Sequence, residues 1–557
     1  MVTWLPVAVV LFGACNCHPV DGHEPLRFTA SVPQSVGDRL DVIFVTDSSG
    51  GLNYDWARCP YMWEEIDDVF GESLNLHMGS IGTDLGAGEY NVETCDLEGG
   101  DGGRLGYYKG MDYTNVCNLL PNERFLVATS PVGCHVDRTD EFQCDSHTCT
   151  EESCQAAVEG SEQLVLETNW RGCPRCVNHD PGFPFSQTTM CLAGPKIACS
   201  IIQPLESLRL ALDNNPYNTG FLREDAHLLI VFFVRKDDCS ARDPMLFDPA
   251  QDSMDAPLGF FSEYRCFEFG VTCDIDDRTH VGVRHDCRPR EDPAALLHPV
   301  SRYVEFVKAL RDPQTVTVAA LAAPMDGWNV TVGRDEEDRP TVESVECGRP
   351  GIRLRTFVEA FHPDGLPDWA YRPFCSQCDM TFVSDVGWAV RERILLRRCL
   401  PQPLAGCPDP GVEQGAPQAA VACDINSRCL ARCEVTDVRR RGTAEETRVE
   451  LPACLGVLSD GTVDPKNFFR ELAYEGGYPA ERDPELPVEA CWSIVYDPIC
   501  EASRGAALRV SRRVDPPPRT FAELTCDAIP ATETNCYDGR DEDEDCLMDL
   551  NDPDCGA

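Results

Sequence analysis

The stretch "LDVIFVTDSSGGLNYDW", Leu40 to Trp56, decides how this chain is to be folded. Leu40 and the apolar run Val42 to Val45 end in Thr46-Asp47-Ser48-Ser49-Gly50-Gly51. An unbroken apolar run of this length suits a strand covered on both faces of a parallel sheet. In such a sheet, ligands sit beyond the carboxyl ends of the strands. Asp47 and Ser49 therefore fall at the edge where function concentrates. A carboxylate and a hydroxyl two residues apart can serve a hard cation, which takes oxygen ligands. The same pair can instead satisfy backbone donors at a strand-to-helix turn. A nucleophile is excluded more clearly, because Asp47-Ser48-Ser49-Gly50 is not a Gly-x-Ser-x-Gly elbow.

Working outward, three more apolar runs follow, at 74–81, 227–234 and 315–322. Helical patterns lie between them: Leu205, Leu208 and Leu212 share one face, as do Tyr303, Phe306, Val307 and Leu310. The alternation predicts an α/β domain with a doubly wound, mainly parallel sheet over about 39–400, closed by a helix near 385–398. Two long insertions interrupt it, about 85–198 and 236–298, rich in cysteine and poor in periodicity. Residues 16–38 read as a linker, 401–526 as a small cysteine-rich, β-rich region and 527–557 as an acidic tail.

Composition narrows the function. Asp plus Glu is 93 against 48 Lys plus Arg, a formal net charge of −45. That charge repels nucleic acid and anionic membrane surfaces, so nucleic acid is not an expected partner. Thirty-two cysteines predict an oxidising compartment and a disulfide framework. Cys173-Pro-Arg-Cys176 and Cys375-Ser-Gln-Cys378 have metal-like spacing, but disulfides are the expectation in an exported chain. The N-terminal "MVTWLPVAVVLFGAC" reads as a signal over 1–15. It is similar to a bacterial lipoprotein signal, which makes Cys15 the lipidated first mature residue and the membrane anchor; a plain secretory signal is the other reading. The eleven histidines are scattered without ligand spacing, and no His-Glu-x-x-His or P-loop occurs.

The strand-end motif resembles the von Willebrand factor A domain, whose metal-ion-dependent adhesion site begins Asp-x-Ser-x-Ser. "LNLHMGSIGTDLGAG", "IIQPLESLRLALDNN", "GFLREDAHLLIVFFVRKDDCS", "PVSRYVEFVKAL" and "FCSQCDMTFVSDVGWAV" resemble, in this order, segments of cysteine-rich A-domain lipoproteins of myxobacteria and related bacteria. The resemblance covers about 39–400 and implies the same doubly wound sheet. It implies an Mg²⁺ or Mn²⁺ site drawn from Asp47, Ser49, Ser200, Asp237 and Asp238. That site is degenerate. Gly51 stands at the third Ser position, and Val234-Arg235 replaces the Thr-Asp pair of the family's "TDEDDC". Arg235 puts a fixed positive charge where a carboxylate would help hold a cation.

In the tail, "DEDEDCLMDLND" sets Asp541, Asp543, Asp545, Leu547, Asp549 and Asp552 at positions 1, 3, 5, 7, 9 and 12, the spacing of an EF-hand calcium loop. Cys546 replaces the turn glycine at position 6. Ca²⁺ is the expected ligand. Together these features predict a non-enzymatic, lipid-anchored envelope protein that binds a protein or surface ligand. A secreted hydrolase with its site in the insertions, or a purely structural envelope protein, are the alternatives.

Overall fold

The fold is taken from a computed structural model. It describes residues 26–34, 39–49, 75–92, 95, 99–106, 117–132, 134–136, 144–145, 149–168, 172–193, 199–292, 295–324, 328–344, 349–374, 379, 381–402, 404, 433–454, 456–457, 463–464, 484, 486, 488–497, 499–503 and 506–528. The chain divides into two units, one spanning 36–394 and one formed by 1–35 with 395–557.

The larger unit is built on an eight-stranded mixed sheet. Its strands are β1 (Arg39–Thr46), β2 (Asn75–Gly82), β3 (Leu126–Thr129), β4 (Val165–Thr168), β5 (Pro174–Val177), β6 (His227–Val234), β7 (Val316–Ala322) and β8 (Tyr371–Pro373). Their order across the sheet is β8-β7-β6-β1-β2-β3-β5-β4. The block from β8 to β2 is parallel throughout, whereas β3, β5 and β4 join by antiparallel pairing.

The period-2 alternation of a strand explains why these runs had to be apolar throughout. In β1, Leu40, Val42 and Phe44 enter one core while Ile43 and Val45 enter the other. In β6, Leu229, Val231 and Phe233 face one way, and Leu228, Ile230, Phe232 and Val234 the other. The first core is closed by α1 (Phe185–Leu192) and α6 (Phe382–Leu395). The second is closed by α2 (Pro204–Leu212), α4 (Val300–Leu310) and α5 (Ile352–Glu359), and α3 (Tyr264–Gly270) lies in the second insertion. Edge-to-face rings lock helices to the sheet: Phe232 on Phe357 at 5.8 Å and Phe233 on Phe382 at 5.9 Å. Gly79 in β2 sits in close packing: a Cβ there would meet Leu105 Cδ2 at 2.6 Å, so the Leu105 side chain would have to move.

Two expectations change. The first insertion is not a loop hung on the sheet: it supplies β3, β4, β5 and α1, so the sheet is mixed rather than mainly parallel. The residues read as a linker include a strand, Leu26–Pro33, paired antiparallel with Phe521–Ala528. Its alternation brings Phe28 and Val32 into a core with Val435, Trp492, Leu508 and Leu524, so burial drives this pairing across most of the chain. The second unit is then a four-stranded antiparallel sheet, Leu26–Pro33, Phe521–Ala528, Cys433–Arg439 and Thr447–Glu450, with a hairpin of Ala490–Tyr496 and Ala506–Arg512. Disulfides Cys433–Cys526, Cys399–Cys500 and Cys454–Cys491 staple it.

Candidate functional site

The parallel strands β2, β1 and β6 end side by side, and the Asp47 turn stitches their ends together. Thr46 Oγ1 donates to the Ile81 carbonyl at 3.1 Å. Ser48 N–H donates to Thr83 Oγ1 and Thr83 N–H donates to Ser48 Oγ, both at 2.9 Å, a reciprocal pair between β1 and β2. On the other side, Asp47 N–H donates to the Phe233 carbonyl at 2.9 Å. Asp47 is fully buried. Its Oδ1 accepts the Ser49 N–H at 2.7 Å and its Oδ2 accepts the Arg235 main-chain N–H at 3.0 Å. This contact comes from the backbone of Arg235. Each carboxylate oxygen therefore compensates a backbone donor that the end of the sheet would otherwise bury unpaired.

Asp237 and Asp238 follow two and three residues after Arg235, and both serve helix N-termini. Asp237 accepts the N–H of Arg353 and of Leu354, each at 3.0 Å, in the first turn of α5. It also accepts the Asp238 N–H at 2.9 Å. Although the residue keeps some exposed surface, its carboxyl is pushed up to about 6 by burial, against the lowering effect of those N–H groups and of Arg353. Asp238 is fully buried. It accepts the Leu205 N–H of α2 at 3.1 Å and pairs with the buried Arg353 guanidinium at 3.0 Å. Ser240 Oγ donates to Asp238 at 2.5 Å and accepts the Glu206 N–H of α2 at 2.9 Å. Helix N-termini leave N–H groups unsatisfied and favour negative charge, so the Asp-Asp pair after β6 anchors two helices at once. Ser200 lies before α2, and its carbonyl accepts Lys236 Nζ at 3.0 Å.

The structure thus joins Asp47 and Ser49 through the Ser49 main-chain N–H. It commits Asp237 and Asp238 to α5 and α2, and Ser200 offers its carbonyl to Lys236. Among the described residues there is no group of three or more His, Cys, Asp or Glu placed to hold a metal. Sequence reading missed Ser48, Thr83 and Arg353. The Thr-Asp after β2, "GTD", carried a signal, since it repeats the Thr-Asp that ends β1. Gly50 and Gly51, the acidic tail from Asp541 to Asp552, Cys15, Cys375 and Cys378 lie outside the described residues. Cys173 and Cys176 do not pair with each other, because Cys176 is bonded to Cys154 and Cys173 is itself in a disulfide. Cys239 staples the loop after β6 to Cys266 in the second insertion. Among the described residues no helix is long and apolar enough to cross a membrane.

No family model matches the chain, and neither does any curated protein. Among solved structures, the pilus adhesin RrgA from Streptococcus pneumoniae is similar at a TM-score of 0.24 and 10% identity. The match covers 90% of this chain and 58% of that one, so this chain spans little more than half the adhesin's length. A likeness that low carries no argument about fold or function. What stands is the class: an α/β protein with an eight-stranded mixed sheet and several disulfides.

Proposed function

We propose that this is a non-enzymatic, extracytoplasmic binding protein of the von Willebrand factor A type, which takes a protein or surface ligand at the carboxyl edge of β1 and β6. The observation that carries the reading is the strand order. β1 has its successor β2 on one side and β6 on the other, so the chain leaves the middle of the sheet in both directions. In doubly wound sheets the binding crevice opens at that reversal, beyond the carboxyl ends. The Asp47-Ser48-Ser49 turn sits on it.

In this reading the adhesion site is degenerate. Both Asp47 oxygens already accept main-chain donors, and Asp237 and Asp238 cap helices rather than converge on Asp47. Mg²⁺ or Mn²⁺ is not needed for ligand binding, and Ca²⁺ goes to the carboxylates of the tail. The disulfides are compatible with an extracytoplasmic location. In this reading Cys15 supplies the lipid anchor, so wild-type protein is expected to partition into the detergent phase and Cys15→Ser to release it.

The test is capture from envelope extract with full-length protein. Wild type is expected to retain a defined partner equally with and without chelator. Ser49→Trp, which blocks the half-buried end of the turn, is expected to lose it. Capture that is indifferent to Ser49→Trp would place the ligand elsewhere.

A further inference from the structure

We propose that a pocket beside the carboxyl end of β6 binds a small organic acid, an apolar body bearing one carboxylate. This site is separate from the Asp47 turn and does not depend on the reading above. It is a cavity of about 230 Å³ between the segment preceding α2, the loop after β6, the rest of the second insertion and the segment that leads into α5. Sites for drug-sized ligands run to roughly 300–1,000 Å³, so the occupant is small. Ile202, Leu246, Phe247, Phe261, Phe267 and Val342 form the apolar wall, and the Cys239–Cys266 disulfide fixes it.

The charges at the pocket are unequal. Glu263 stands between two cations: Oε1 lies 2.5 Å from Lys236 Nζ and Oε2 lies 2.5 Å from an Arg349 nitrogen. Arg265 lines the same cavity and is 2% exposed. Its guanidinium donates to the main-chain carbonyls of Leu246, Asp248, Gln251, Gly259 and Phe260, so its charge is offset at longer range, by Asp252 and Asp248. The other lining carboxylate, Asp237, is turned to the N-terminus of α5. Ser262 Oγ lies in the wall, out of reach of solvent and without a hydrogen-bond partner among the described residues.

Apolar walls and two cations sharing one carboxylate complement an acid better than an alcohol or an amine. An incoming carboxylate would complete a square of two cations and two anions, and charge-assisted hydrogen bonds of this kind are the strong ones. The positive excess stands out in a chain whose net charge is −45.

The experiment is calorimetry of the full-length protein with three probes that differ in the head group alone: hexanoate, hexanol and hexylammonium. Hexanoate is expected to bind saturably, about tenfold more tightly than hexanol, with EDTA making no difference. Arg349→Gln, at a half-exposed position, is expected to weaken hexanoate by about threefold to tenfold. Glu263→Gln is expected to tighten it, because no resident carboxylate then competes; a damaged fold would not produce that gain. Absent saturation by hexanoate, equal binding of hexanol, tighter binding of hexylammonium, or weaker binding in Glu263→Gln would each overturn the proposal.

Discussion

Asp47 has two oxygens and two main-chain donors to satisfy, from Ser49 and Arg235. Removing both acceptors leaves two half-buried N–H groups without partners, at about 1–2 kcal/mol each. Asp47→Ala is therefore expected to lower the unfolding free energy by about 2–4 kcal/mol in urea titration, and a loss below about 0.5 kcal/mol would refute a structural role for the carboxylate. The buried Asp238–Arg353 pair is a sharper case, since deleting one partner strands the other: Arg353→Met should cost about 3–5 kcal/mol. His77 gives a pH prediction. Burial, then the field of Arg223, push its ring down to about 3 from an ordinary 6.5. Between those values the unfolded chain takes a proton the fold excludes, so this stabilisation is present above pH 6.5 and lost as pH falls toward 3. Asp41 and Asp237, pushed up to about 6 by burial, have the opposite sign: their contribution is full below the ordinary carboxylate value and lost as pH rises through 6. Relative to wild type, His77→Gln should gain stability steadily as pH is lowered from 6.5 toward 3, and a constant difference would show that His77 does not titrate with folding.

Elements were legible where burial is two-sided and continuous. The runs at 227–234 and 315–322 became β6 and β7 within a residue, and the leucine and aromatic faces became α2 and α4. Four-residue strands such as β3 and β5 have no period of their own to read. Their places are set by non-local partners: Leu126 to Ala128 pair with β2, and Cys176 is bonded to Cys154. Helix α5 was missed because the buried Arg353 breaks its apolar pattern, and its partner Asp238 lies far back in the chain. The Asp47 turn was legible as a strand end with an acid and a hydroxyl. What its carboxylate binds was not, since the Arg235 backbone comes from another strand. The loop from Gly99 to Gly103 also escapes pattern reading: Gly103, at φ +69°, presses so close to α2 that a Cβ would sit 2.6 Å from Ala211 N. Gly103→Ala should therefore destabilise the larger unit.

For the molecule as a whole, disulfides replace the periodic packing that the insertions lack. Cys95–Cys199 ties the first insertion to the segment before α2, Cys117–Cys191 ties two parts of that insertion together at α1, and Cys239–Cys266 closes the loop after β6. Non-reducing peptide mapping should recover these pairs, and denatured, unreduced protein should alkylate at one or two thiols at most; many free thiols would contradict an oxidising compartment. The central claim is that the crevice at the carboxyl edge holds a degenerate ion site, and magnesium calorimetry tests it most directly. The protein to use is the full chain with Asp541, Asp543, Asp545, Asp549 and Asp552 changed to Asn, which removes the side-chain ligands of the calcium-loop spacing. It should show no tight Mg²⁺ or Mn²⁺ binding, and adding Arg235→Asp should create it by placing a carboxylate beside Asp47. Tight Mg²⁺ binding without that change, abolished by Asp47→Ala, would contradict the account.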